Sequence, residues 1–227
     1  MHITEGASMR RILAVGALVL LASSLVLSQN SVFGKNKVQY KNFEWEYIQT
    51  SHFDIYYSQN GYQLAEFMAD AAEDAYSSIR KILRYDINNR IPMVVYNSHN
   101  EFQQTNVVNE YLEEGVGGVT ELFKNRVVVP FEGNYSQFRH VIHHELVHAV
   151  LNDMFYGGSI QSLISSRSPF VLPLWVNEGF AEYASMQWET NSDMFIRDAT
   201  IQNYLPPIEY LSGYFAYRGG QSVWYYI

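Results

Sequence analysis

The strongest constraint on the fold is a pair of histidines in the stretch at positions 144–148, which reads His-Glu-Leu-Val-His. On an α-helix, side chains four residues apart lie one turn apart on the same face. The surrounding sequence supports a helix over about Ser136–Met154, with two consecutive glycines shortly afterwards as a stop signal. We therefore expect one helix to present His144 and His148 side by side.

Two imidazoles on one helix face are suited to binding a single metal ion. Glu145 lies on a neighbouring azimuth, where its carboxylate would reach a metal-bound water rather than the metal. A zinc ion with one open position lowers the pKa of its water to about 7. The pattern thus predicts metal ligands at His144 and His148 and a general base at Glu145. The alternative is that both histidines are partly buried polar residues of an ordinary amphipathic helix.

A second motif lies downstream at positions 175–183, which read Trp-Val-Asn-Glu-Gly-Phe-Ala-Glu-Tyr. A helix from about Leu174 to Trp188 places Glu178 and Glu182 one turn apart on one face. If these two carboxylates are buried, they need water or a cation nearby. The alternative interpretation is that they form an acidic helix edge exposed to solvent. With Glu178 as third ligand, two histidines, one glutamate and a water complete a catalytic zinc site. Glu182 would then accept a hydrogen bond from a ligand imidazole.

The two motifs together closely resemble the gluzincin metallopeptidases, in particular the small bacterial peptidase-MA-like domains. The resemblance spans about residues 40–227, but only the motif segments are specific. It implies zinc bound by His144, His148 and Glu178, acid/base catalysis by Glu145, and a zincin-like fold. Similar domains often precede a TolB-type β-propeller, which implies such a domain downstream of this chain.

Further candidates surround these motifs. His140 shares the ligand face of the helix and could be an extra polar contact or a ligand, whereas His143 lies on another face. Gluzincins commonly take an oxyanion-stabilising Tyr or His from downstream. Of three downstream tyrosines we expect Tyr214 to take this role; the other two are Tyr210 and Tyr217. The strand ending at Val129 is a candidate sheet edge for an extended peptide, with a purely structural strand as the alternative.

The first thirty residues differ from the rest of the chain. A short positive start is followed by an almost unbroken apolar run over Ile12–Leu27. This predicts a signal peptide over residues 1–28, with an uncleaved membrane anchor as the alternative. We expect a linker over 29–42 and a peptidase domain over 43–227, truncated at its C-terminus. Export to the periplasm, the cell envelope or the medium follows on either interpretation.

The composition excludes several functional classes. A net charge of −8 without a sustained Lys/Arg run argues against nucleic acid as a partner. Because the chain contains no cysteine, it has no disulfides, no thiolate zinc ligands and no cysteine nucleophile.

Apolar periodicity predicts an α+β fold with a small mixed sheet, the motif helix and a helical C-terminal half. The predicted elements are a hairpin over Phe43–Tyr57, a helix over Tyr62–Leu83, a strand over Ile91–Tyr96, a turn capping a short helix at 97–100, one or two strands within Val116–Phe131, and, after the two motif helices, a helix over Asp193–Gln202 and an apolar stretch from Tyr214.

The residues together predict a zinc-dependent peptidase that hydrolyses peptide or protein substrates through a metal-activated water. One alternative is an inactive, zinc-stabilised interaction module of the cell envelope, in which a fourth protein ligand such as His140 would close the site. Another is an adhesion or carbohydrate-binding surface with aromatic residues along a groove away from the motif.

Overall fold

The computed structural model describes residues 37–108, 112–157 and 172–227. The predicted signal peptide and most of the predicted linker lie outside these ranges, so export, anchorage and a downstream propeller stay predictions. No helix among the described residues is long and apolar enough to cross a membrane.

Five strands within the described ranges form one mixed sheet. They are β1 (Glu46–Gln49), β2 (Phe53–Tyr57), β3 (Ile91–Tyr96), β4 (Val119–Glu121) and β5 (Arg126–Pro130). Their order across the sheet is β1-β2-β3-β5-β4, in which β2, β3 and β5 run parallel. The outer strands β1 and β4 pair antiparallel with their neighbours. The architecture is therefore mixed α and β, as the α+β prediction requires.

Six α-helices and one 3-10 turn complete the described fold. They are α1 (Tyr62–Leu83), α2 (His99–Phe102), α3 (Tyr135–Tyr156), α4 (Leu174–Met186), α5 (Thr190–Ile201), the 3-10 turn Ile208–Tyr210, and α6 (Tyr214–Tyr226). The ends follow local chemistry: α3 begins where the Asn134 side chain accepts hydrogen bonds from the backbone of Ser136 and Gln137. Helix α4 ends at Met186 because Gln187 has a φ of 59°.

The core lies between the sheet and helices α1 and α3. Alternate residues of β2 and β3, such as Phe53, Ile55 and Met93, are fully buried against these helices. Helix α1 contributes apolar residues at spacings of three and four, including Met68 and Ile79. Helix α3 is held in place because its residues Ile142, Leu146 and Val150 are buried in the same core. The opposite side of α3 then carries the histidines.

The predicted hairpin, the helix over Tyr62–Leu83, the strand over Ile91–Tyr96 and the capped turn are confirmed. Within Val116–Phe131 there are two strands. The prediction that the strand ending at Val129 forms a free edge is wrong, because β5 pairs with β3 on one side and β4 on the other. The outer strand beside the motif helix is β4. Strand order depends on tertiary pairing, which no local pattern records.

Candidate metal centre

Three side-chain atoms from two helices converge on one point. In α3, the Nε2 atoms of His144 and His148 lie 3.1 Å apart. The Oε2 atom of Glu178, from α4, is 3.2 Å from the first nitrogen and 3.3 Å from the second. Ligands bound at about 2.0–2.1 Å in a tetrahedron lie roughly 3.3–3.4 Å apart. The triangle therefore has the size of one face of a tetrahedral zinc site, and this group could hold a metal ion.

Glu182 lies against the opposite edge of the His144 ring. Its Oε1 is 3.2 Å from His144 Nδ1 and 3.6 Å from His140 Nε2. The Nδ1 contact has ion-pair distance but does not lie on a hydrogen-bond axis. The other carboxylate oxygen, Oε2, is 3.0 Å from Arg218 Nη1. Glu182 is thus an ion-pair partner of His144, without the hydrogen bond that the sequence predicted, and Arg218 balances its charge.

A second group that could hold a metal consists of His140, His144 and Glu182. It shares His144 with the first group, but through Nδ1 rather than Nε2. The guanidinium of Arg218 contacts the same carboxylate and would repel a cation there. Of the two groups, the one containing His148 and Glu178 is therefore the better candidate for a metal site.

Glu145 lies next to the ligand group in α3 and is only 9% exposed. Its carboxylate accepts a hydrogen bond of 2.7 Å from the hydroxyl of Thr120 in β4. Gly118, two residues before Thr120, passes so close that a Cβ there would lie 2.9 Å from Glu145 Cγ. The end of the sheet therefore confines this side chain on one side.

The three downstream tyrosines differ in exposure and in their contact with His144. The ring of Tyr217 stacks on that of His144, with centroids 6.0 Å apart and an interplanar angle of 15°. Tyr214, which the sequence analysis predicts as the oxyanion-stabilising residue, lines the cleft but is 57% exposed, and its hydroxyl accepts a hydrogen bond from Arg218 Nε. Tyr210 is more exposed still. Among the three, Tyr217 is the tyrosine whose ring contacts His144.

Two cavities, of about 440 and 430 Å³, share His144 and Glu145 in their lining. Gly118 and Tyr217 also line both cavities. The first continues towards His140 and Arg218, and the second towards Leu122 and Asn177. The ligand group therefore lies in a cleft that can admit a substrate.

The clustered histidines and glutamates shift one another's pKa values. Burial alone would lower the pKa of His144, but its contacts with Glu178 and Glu182 raise that pKa to about 10. Burial works against the charged form of Glu178 as well, yet contacts with His144 and His148 lower its pKa to about 2. Without a metal, His144 is therefore protonated at neutral pH, and its positive charge offsets the negative charge of the carboxylates beside it.

This proton must leave before His144 can bind a metal, which gives a prediction. We expect zinc uptake at pH 7 to release about one proton per ion, and apparent zinc affinity to rise with pH towards the pKa of His144. Calorimetric titration in two buffers with different ionisation enthalpies measures the released protons. Affinity independent of pH, with equal heats in both buffers, would contradict this protonation state.

The sequence motifs singled out five residues that the structure brings close together: His144, Glu145, His148, Glu178 and Glu182. They missed Thr120 and Arg218, which belong to no local pattern. The contact of the partly buried Arg218 with a carboxylate is recognisable only when both helices are in place. The stacking residue Tyr217 was one of three candidates, and only the orientation of α6 separates it from Tyr214.

Comparison with known proteins does not identify a family for this chain. No protein-family model matches the chain, and no curated protein matches it. The class of site is therefore defined by its residues: two histidines and a glutamate that could hold a metal, with a carboxylate beside them and a cleft around them.

Proposed function

We propose that this chain is a zinc metallopeptidase of the gluzincin type, with a zincin-like fold, that hydrolyses peptide bonds. The observation that carries the proposal is the triangle of His144, His148 and Glu178, with Glu145 beside it in the same cleft. A set of two nitrogens and one carboxylate oxygen suits zinc and leaves a fourth position open.

Zinc in this site would supply Lewis acidity and lower the pKa of bound water. The remaining steps fall to the side chains of the chain. Glu145 accepts a proton from the attacking water and delivers it to the leaving amine. Burial, with the nearby Glu178 and Glu145, raises the pKa of Tyr217 to about 12, so its phenol stays a hydrogen-bond donor. Tyr217 is therefore our candidate for stabilising the oxyanion, in place of Tyr214.

The position of β4 supports an extended peptide as the substrate. This strand is the outer strand of the sheet beside α3, and its residues Val119 and Thr120 line the cleft. An outer strand offers unpaired backbone groups to which a peptide can add in extended form. A peptide bound along β4 would pass over Glu145 and the ligand group.

The alternative of a closed, structural zinc site has less support. It requires a fourth protein ligand, for which His140 was the candidate. Among the described residues, the group formed with His148 has three members, and His140 instead faces Glu182. An open coordination position favours chemistry over a purely structural role.

The proposal is tested by the metal content of the purified protein. We expect about one zinc per chain in the parent and a large loss in Glu178→Gln, because the amide removes the charged ligand. Glu209→Gln is the matched control, since Glu209 lies exposed in the 3-10 turn. Absence of zinc from a folded parent, or equal zinc in both variants, would overturn the assignment.

A further inference from the structure

The hydroxyl of Thr120 contacts the side chain of the proposed base. Its Oγ1 lies 2.7 Å from Glu145 Oε2 and 3.0 Å from the backbone carbonyl oxygen of Glu145. A threonine hydroxyl has one hydrogen to donate. Because the carboxylate is the closer and the more strongly accepting group, the hydrogen bond goes mainly to Oε2.

Two further features confine the carboxylate. Thr120 is held in register by pairing of β4 with β5, where it lies opposite Val127, a fully buried residue. Gly118 approaches Glu145 Cγ so closely that no side chain fits between them. The hydroxyl donor is therefore fixed to the sheet, and Glu145 has little room to swing towards β4.

We propose that Thr120 is a positioning residue for Glu145, an inference that rests on the proposed peptidase function. By holding Oε2, Thr120 fixes the orientation of the carboxylate and leaves Oε1, which has no hydrogen bond among the described residues, to accept the proton of the attacking water. The strand that binds the substrate in the proposed function thus also aligns the base.

A purely structural role makes a different prediction. If Thr120 served only to join β4 to the backbone of α3 through the Glu145 carbonyl, its loss would lower stability. The Glu145 side chain would then have no influence on that loss. Separating the two roles requires one measurement of turnover and one of stability.

The first measurement compares Thr120→Val and Thr120→Ser in the zinc-loaded protein, assayed on a pool of fluorogenic peptides. We expect Thr120→Val to lower kcat by about 10- to 100-fold with KM and zinc content unchanged, as for other residues that orient catalytic groups. Thr120→Ser, which keeps the hydroxyl, should restore kcat to within about threefold of the parent. The matched control is Thr200→Val, since the hydroxyl of Thr200 donates to a helix carbonyl in α5.

The second measurement is a double-mutant cycle on unfolding of the metal-free protein, using Thr120→Val and Glu145→Ala. We expect Thr120→Val to raise the unfolding equilibrium constant about tenfold more when Glu145 is present than when it is alanine. No coupling between the two, or an unchanged kcat in Thr120→Val, would overturn the positioning role. A zinc-loaded parent that cleaves no peptide would instead remove the proposed function itself.

Discussion

Replacing Glu145 by glutamine is expected to lower kcat by about 10³-fold while zinc stays bound. Glutamine keeps the size of the side chain and can still accept the hydrogen bond from Thr120, but it cannot take a proton from the attacking water. Because Glu145 is not among the three converging atoms, zinc content should match that of the parent. A loss of 10³ in kcat corresponds to about 4 kcal/mol of transition-state stabilisation.

The assay should measure kcat and KM on fluorogenic peptides together with zinc content of the same preparations. Glu209→Gln again serves as the control, since it makes the same chemical change at an exposed position. A zinc-loaded Glu145→Gln variant with parental kcat would exclude Glu145 as the base. Loss of zinc from that variant would instead mean that Glu145 contributes to metal binding.

Replacing Gly220 by alanine is expected to destabilise the protein by about 3 kcal/mol, the upper part of the range for overpacking. Helices α4 and α6 cross in contact at Gly179 and Gly220. A Cβ at Gly220 would lie 2.3 Å from the carbonyl oxygen of Trp175 and 2.9 Å from Gly179 Cα. Because both neighbours are backbone atoms, the helices themselves must separate.

The measurement is thermal unfolding of the metal-free protein, for which about 3 kcal/mol corresponds to a fall of roughly 6–12 °C in a domain of this size. Gly115→Ala is the matched control, since a Cβ at Gly115 would meet nothing within 4 Å. Zinc affinity should fall as well in Gly220→Ala, because Glu178 precedes Gly179 on the displaced helix. Equal melting temperatures for both variants would show that the helices do not cross this closely.

The parts of the site that the sequence predicted are those fixed by helix geometry. The spacing of His144 and His148 in α3, and of Glu178 and Glu182 in α4, places each pair on one face whatever the rest of the fold does. The residue spacing within each helix does not predict that the two pairs lie next to each other in the fold. That proximity was expected from the ligand set that a catalytic zinc site needs, and from the resemblance to gluzincins.

The parts that the sequence did not predict depend on how elements pack. Pairing of β5 on both sides, and therefore the outer position of β4, follows from sheet order rather than from the run of valines. The choice between Tyr214 and Tyr217 depends on the rotation of α6, which the Gly179–Gly220 contact sets. Thr120 became significant only once β4 lay against α3.

The meeting of α3 and α4 also has a consequence for a chain without cysteine. His144 and Glu178 are 34 residues apart in sequence. An ion bound by both residues would cross-link the chain between these two positions, as a disulfide would. By the loop-entropy relation, a cross-link that closes a loop of this length lowers the conformational entropy of the unfolded chain. This loss raises the free energy of the unfolded state by about 4 kcal/mol. The proposed catalytic ion would therefore also stabilise the folded domain. Chelation would lower the free energy of unfolding as well as abolish the activity.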